Sequence, residues 1–477
     1  GFGRDGLGVL PWVDGEVGLD GPVSAANSLV GSTASDHVGI SGVRVLADGD
    51  YVVSSLSADR IGPGVPSTGY EDAGAVTWAD GQVGVTGTLS IDNSLMGHYY
   101  NTQIGLGGIV ELADGDYVVV SPNTPDGLFQ SGDRGVITLG DGAHGTHGDA
   151  TIPATPPPPE GYGPGEVTSW EGATAGDHIG SGGIVPLPDG GFVILSPDVD
   201  DTINGQVDVG AAFHVGPDGE SPSFRIGLVT PTVGQPFTIA DGGLHGATTQ
   251  DRVGSGGAVV LSDGNYVVIS PAWHDPNDTE IYGAPGPAGA VTWVAAGALG
   301  EAPVSTANSL HGDQADQVGS GGVVALPGGH YVVSSPRWEP GDGSGAAMNR
   351  GAVTWMAGGG PSSETVGESN SLYGVGANDG GGPGVAMATA LTDGNYLARF
   401  VSADAGMVAD VGAVVWADGT TGITGPVSTM PALRGSQAGD SVGWVAHALP
   451  GGRYAVHSPF WDAGAIADAG AVTWMAG

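Results

Sequence analysis

Cysteine and lysine are both missing from this chain. Without cysteine there is no disulfide, no thiolate zinc site, no iron–sulfur cluster and no cysteine nucleophile. Its basic residues are 11 arginines against 51 acids, for a formal net charge of −40. Nucleic acid and anionic lipid need a basic footprint, so neither is an expected partner. No stretch approaches the roughly 18 consecutive apolar residues of a membrane-spanning helix, so no direct membrane insertion is expected. No signal peptide is visible after Gly1, which fits a mature or trimmed chain. There is also no nucleophile elbow on a strand–helix turn, no phosphate loop and no dinucleotide fingerprint.

What is present in quantity is glycine, 92 residues, with 33 prolines. The glycines recur at fixed offsets inside a repeated phrase: a two-residue turn, an aromatic, then a β-branched run. The aromatics are Tyr51, Tyr117, Phe192, Tyr266, Tyr331, Tyr396 and Tyr454. A repeat of roughly 65 residues made of strand signals predicts radial repetition, since such units bury their faces only against one another. The fold expected is all-β: one seven-bladed β-propeller over 1–477, with four antiparallel strands per blade.

The fifth copy shows the unit best. Strand a runs from Gly321 to Leu326, and the Gly328-Gly329 pair makes a tight hairpin. Strand b is Tyr331 to Ser335, stopped by Pro336, which has no N–H to give a ladder. Strand c is Ala352 to Trp355, and strand d is the variable phrase around Ser305 to Leu310. The last copy ends on its strand c, so residues 20–31 are expected to supply the missing outer strand and close the ring. An extra strand-c copy at Gly8–Trp12 then has no slot. Residues 140–166, with Pro156 to Pro159, read as an inserted loop with a stiff end. A second insertion spans Asp218 to Gln235.

The order Asp-x-Val-Gly-Ser-Gly-Gly, strand, turn, Tyr-Val-Val-Ser-Ser-Pro, loop, Gly-Ala-Val-Thr-Trp (Asp316 to Trp355) resembles repeats of bacterial surface proteins of the filamentous-haemagglutinin and autotransporter-adhesin kind. Its rhythm is also similar to the FG-GAP repeats of integrin-type seven-bladed propellers. The resemblance implies a secreted or surface-displayed propeller used for adhesion, binding or scaffolding. The FG-GAP calcium loop does not carry over, because the a–b link here is a tight turn such as Asp263-Gly264, too short for six or more oxygen ligands.

Candidate ligand-binding residues follow strand b: Trp273, Arg337 with Trp338, and Trp461. Each Trp either caps its blade in the core or stacks on a sugar ring. Asp198, Asp200 and Asp201 in one loop, and Asp275, Asp278 and Glu280 in another, space oxygen ligands as Ca²⁺ prefers, with solvated turn residues as the other reading. His144, His147 and Asp149 are spaced loosely like metal ligands but lack an element to orient them. Asp36, Asp177, Asp251, Asp316 and Asp440 each stand with two residues between them and a Gly, and their recurrence predicts a structural role accepting backbone N–H groups. The expected function is therefore non-enzymatic: adhesion or scaffolding, with a polysaccharide, another surface protein or copies of itself as partner, and no cofactor beyond Ca²⁺ as a candidate. The competing reading is a hydrolase or lyase at the axial channel, for which Arg399 and Asp404 of the divergent sixth copy are the natural starting point.

Overall fold

The computed structural model describes residues 8–11, 22–62, 65, 69–125, 132–150, 167–217, 243–276, 286–298, 302–313, 315–340, 349–381 and 387–477. Among these the chain is all-β, with eight sheets of three to five strands, antiparallel apart from one parallel edge strand in three of them, and no α-helix. Contacts divide it into two compact units, Gly1–Gly243 with Leu299–Glu301, and Leu244–Ala298 with Ala302–Gly477.

Every strand b begins on the aromatic that marked it in the sequence: Tyr51–Ser55, Tyr117–Ser121, Phe192–Ser196, Tyr266–Ser270, Tyr331–Ser335, Tyr396–Phe400 and Tyr454–Ser458. Most of these strands are buried along their whole length, as expected for a short apolar run covered on both faces. Each pairs antiparallel with a strand a before it and a strand c after it; in the fifth copy Val323–Ala325 and Ala352–Met356 flank Tyr331–Ser335. Strand a is thus three residues, shorter than the sequence suggested, because Gly321 and Gly322 belong to the entering turn.

The cores lie between sheets rather than within them. In the first unit Val118, Val120 and Ile137 pack with Phe192, Ile194 and Phe213 of the next copy. In the second unit Val332 and Val353 pack with Met387, Ala398 and Val415. No repeat owns a core, so none folds usefully without a neighbour. Within the second unit the strands a of successive copies (Ala258–Val260, Val323–Ala325, Ala388–Ala390 and Val445–Ala448) lie side by side.

The expected closing strand is not where the sequence put it. Ser28–Val30 pairs antiparallel with Val9–Pro11 on one edge and parallel with Gly87–Thr88 on the other. The last sheet has three strands, Val445–Ala448, Tyr454–Ser458 and Ala471–Met475. The extra strand-c copy at the N-terminus has taken the place beside Ser28–Val30 that was reserved for the last copy. Parallel fifth strands also extend two other sheets. Gly148–Asp149 adds to Leu95–Met96, and Gly425–Pro426 adds to Ser371–Tyr373.

Candidate functional site

In five copies a recurring aspartate forms a lock between two loops. Asp251 is fully buried. Its carboxylate accepts the N–H groups of Ala247 (2.8 Å), Thr248 (2.8 Å) and His274 (3.1 Å). Asp36, Asp177, Asp316 and Asp440 do the same, each reaching 22 or 23 residues ahead to the N–H of Asp59, Asp200, Glu339 or Asp462. The one copy without this aspartate has Thr102, whose hydroxyl bonds Tyr99. The residue that would present the distal N–H in that copy is Pro125, which has none, so no carboxylate is needed. Burial pushes the Asp316 carboxyl up to about 8, and the charges of Asp313 and Glu339 add to the rise against the N–H groups that oppose it. For Asp440 burial also raises the carboxyl, but the N–H groups of Gln437, Asp462 and Ser436 outweigh it and leave it below its ordinary value.

The residue before each distal N–H explains the tryptophans. Ala58, Thr124, Val199, Trp273, Trp338, Ala403 and Trp461 occupy one slot: each donates its N–H to the last residue of strand b and accepts the N–H of the glycine that opens strand c. Six of the seven are buried, Trp273 and Trp338 among them. The Trp338 indole donates to the Val366 carbonyl at 3.0 Å. This corrects the sugar-stacking reading for Trp273 and Trp338: their indoles plug the space under the loop and offer no face to a ligand. Trp461, in the last copy, is half-buried against Leu397 and Val456. Arg337, next to Trp338 in the equivalent loop of the fifth copy, is half-buried.

The described acids of the first acidic loop are likewise engaged by nearby donors. Asp201 is buried and caps its own turn through the N–H groups of Ile203 and Asn204. Asp200 accepts from Asp208, and Asp198 accepts from Ser181. Asp275 is half-buried, while Asp278 and Glu280 lie outside the described residues. Among the described residues no group of three or more His, Cys, Asp or Glu side chains is arranged to share a cation. Arg399 donates to the carbonyls of Gly443 and Trp444 in the next copy, and Asp404 accepts the N–H of Asp410. The two are therefore spent on separate structural contacts and do not form a catalytic pair.

One cluster breaks the repetition, and the sequence reading did not assemble it. Asp149 sits on the parallel strand Gly148–Asp149, which carries it to the start of the second copy. There its Oδ2 meets Arg60 Nη1 at 2.7 Å and His98 Nδ1. Arg60 is buried and also donates to the Gly97 carbonyl at 3.3 Å. Burial alone would raise the Asp149 carboxyl, but His98 and Arg60 together hold it below its ordinary value. Around this pair lie Tyr70, Tyr99 and Tyr100; Tyr70 meets Tyr100 edge-on at 5.2 Å and His98 at 5.7 Å. Tyr99 and Tyr100 are half-exposed. His144 instead faces Asp141 in an exposed turn, so His144, His147 and Asp149 do not converge. The available signal was the triplet His98-Tyr99-Tyr100 and the arginine at a loop position where the other copies have none.

Fold and sites together define an all-β repeat protein whose recurring polar residues lock loops. A repeat-family profile matches residues 4–40, 45–106, 111–153, 260–320, 325–383, 390–444 and 448–477, and the chain belongs to that family, DUF5650, described as a repeat of unknown function. The copy around Phe192–Ser196 falls outside those matches yet forms the same sheet. A search of curated proteins finds no match to the chain.

Proposed function

We propose that the chain is a non-enzymatic binding scaffold, secreted or displayed at a surface, whose sheets are blades of a propeller-type array. The observation that carries this is the aspartate lock. The acids that recur from copy to copy, the natural candidates for chemistry, are buried and accept backbone N–H groups of their own loops. A catalytic acid needs a proton-transfer partner at a reacting atom, and these have neither access nor partner for one. The side-by-side strands a favour blades over a stack of independent sheets.

The ligand surface that fits best is the one centred on Tyr99 and Tyr100. Half-exposed tyrosines beside a fixed Arg60–Asp149 pair present stacking faces and directional polar groups together, which suits a sugar ring. Calorimetric titration with a panel of neutral, acidic and amino polysaccharides tests this. Binding by at least one class, lost about tenfold or more in Tyr99→Ala/Tyr100→Ala with unchanged melting, is the expected result. No binding across the panel, or cleavage of any polymer in it, sinks the reading.

A further inference from the structure

We infer that the sixth copy holds one hard divalent cation, Ca²⁺ or Mg²⁺, between Asp379 and Asp404. The inference is independent of the polysaccharide reading. It rests on what other copies place between the same two side chains.

The aspartate lock brings a second acid, the one whose N–H it reaches, close to the first. In the first copy the Thr33 hydroxyl stands between the two, 2.6 Å from Asp36 Oδ1 and 2.6 Å from Asp59 Oδ2. In the third copy Thr174 Oγ1 lies 2.6 Å from Asp177 Oδ1 and 3.4 Å from Asp200 Oδ2. The fourth copy has His274 in place of the second acid, with its Nδ1 3.3 Å from Asp251 Oδ1.

In the sixth copy the threonine position is Gly376, which has no hydroxyl. Asp379 Oδ2 accepts the N–H groups of Val375 and Gly376, both at 2.7 Å. Its Oδ1 has no hydrogen-bond partner, although the residue is only 1% exposed. The Asp404 N–H, which the repeat would direct there, lies off bonding geometry. Asp404 Oδ1 accepts the Asp410 N–H at 2.9 Å, and its Oδ2 turns to the same space as Asp379. A Cβ built on Gly376 would lie 2.8 Å from Asp379 Oδ1 and 2.7 Å from Asp404 Oδ2. Two carboxylate oxygens thus flank the volume that a threonine side chain fills elsewhere. Among the described residues no arginine or histidine is paired with either of them.

A buried carboxylate without a partner is costly, and a second one beside it adds repulsion. Burial pushes the Asp379 carboxyl up, and the Asp404 charge adds to the rise against the N–H groups that oppose it. A bridging water leaves both charges in place in a chain that already carries −40; a cation neutralises them together. Asp404 is half-buried, so an ion reaches the pair from solvent. Donors that are all oxygen select a hard ion, with water completing its coordination. Two carboxylates rather than three make the affinity modest.

Calorimetric titration of the metal-depleted 477-residue chain with CaCl₂ and, separately, MgCl₂ tests this. About 0.1 M NaCl screens the acidic surface. One saturable equivalent per chain is expected, with a rise in melting temperature, and the tighter of the two salts names the ion. Asp379→Asn should weaken binding about tenfold or more by removing a ligand charge. Gly376→Thr should do the same with both carboxylates kept, because its hydroxyl takes the ion's place. If Asp379→Asn does not fold, Gly376→Thr decides alone. Equal binding by wild type and Gly376→Thr overturns the proposal, since the ion is then held elsewhere. So does the absence of saturable binding by either ion, including the case where only a fall in pH raises the melting temperature and a proton neutralises the pair. Polysaccharide binding through Tyr99 and Tyr100 is measured separately and stands or falls without this site.

Discussion

At the scale of the residue, one short carboxylate does the work of a cross-link. Replacing Asp251 with Ala removes the buried acceptor that the N–H groups of Ala247, Thr248 and His274 share. A loss of about 1–3 kcal/mol in urea unfolding is expected, as for buried donors without an acceptor. Asp316 adds a pH dependence. Its folded pKa of about 8 lies above that of the unfolded chain, so its protonated form contributes stability below about pH 4. That contribution is lost as the pH rises through about 8. Urea midpoints of the wild type should therefore fall relative to Asp316→Asn between about pH 4 and 8, and a constant difference would refute the assignment. The structural role of these aspartates was legible in the sequence because it recurs. The exception at Thr102 was not, because only the structure shows that the distal N–H of that copy would fall on Pro125.

At the scale of the element, strands b and c were readable because each starts on a punctuation mark, an aromatic after a turn or a glycine before Ala-Val. The paired segments Gly148–Asp149 and Gly425–Pro426 were not, since two residues without an apolar pattern carry no periodicity. They exist because the preceding strand d has an edge to satisfy. Trp355→Phe keeps the ring packing and removes the indole bond to Gly419; a loss of about 1 kcal/mol is expected in chemical unfolding. Thr354→Val should cost a similar amount, about 1 kcal/mol, by removing the hydroxyl that meets Ser371. Gly145→Ala should cost more than either, because its φ of +74° disfavours a side chain and the added Cβ would lie 2.8 Å from the Trp78 Cβ.

At the scale of the whole molecule, charge and shared cores set the behaviour. A net charge of −40 repels itself in the compact state. Raising NaCl from about 0.05 M to 1 M, which shortens the screening length from roughly 14 Å to 3 Å, should raise the melting temperature in calorimetry. A fall would show that specific surface ion pairs outweigh the repulsion. In Asp379→Asn, chelation should leave the melting temperature unchanged, since the described acids of the candidate calcium loops are engaged by backbone and side-chain donors. Because cores lie between copies, a substitution such as Val353→Ala should lower the stability of the fifth and sixth copies together, by about 1–3 kcal/mol.

The sequence by itself determined the strands, their order within a copy and the recurrence of the buried aspartates, because each rests on local chemistry: turn geometry, alternation and a side chain bonding nearby backbone. It could not decide whether Trp273 and Trp338 face solvent or core, which strand pairs with Ser28–Val30, or that Asp149 reaches Arg60. Those depend on contacts between residues tens to hundreds of positions apart, and an aromatic or an edge strand looks the same in sequence whether a neighbour covers it or not.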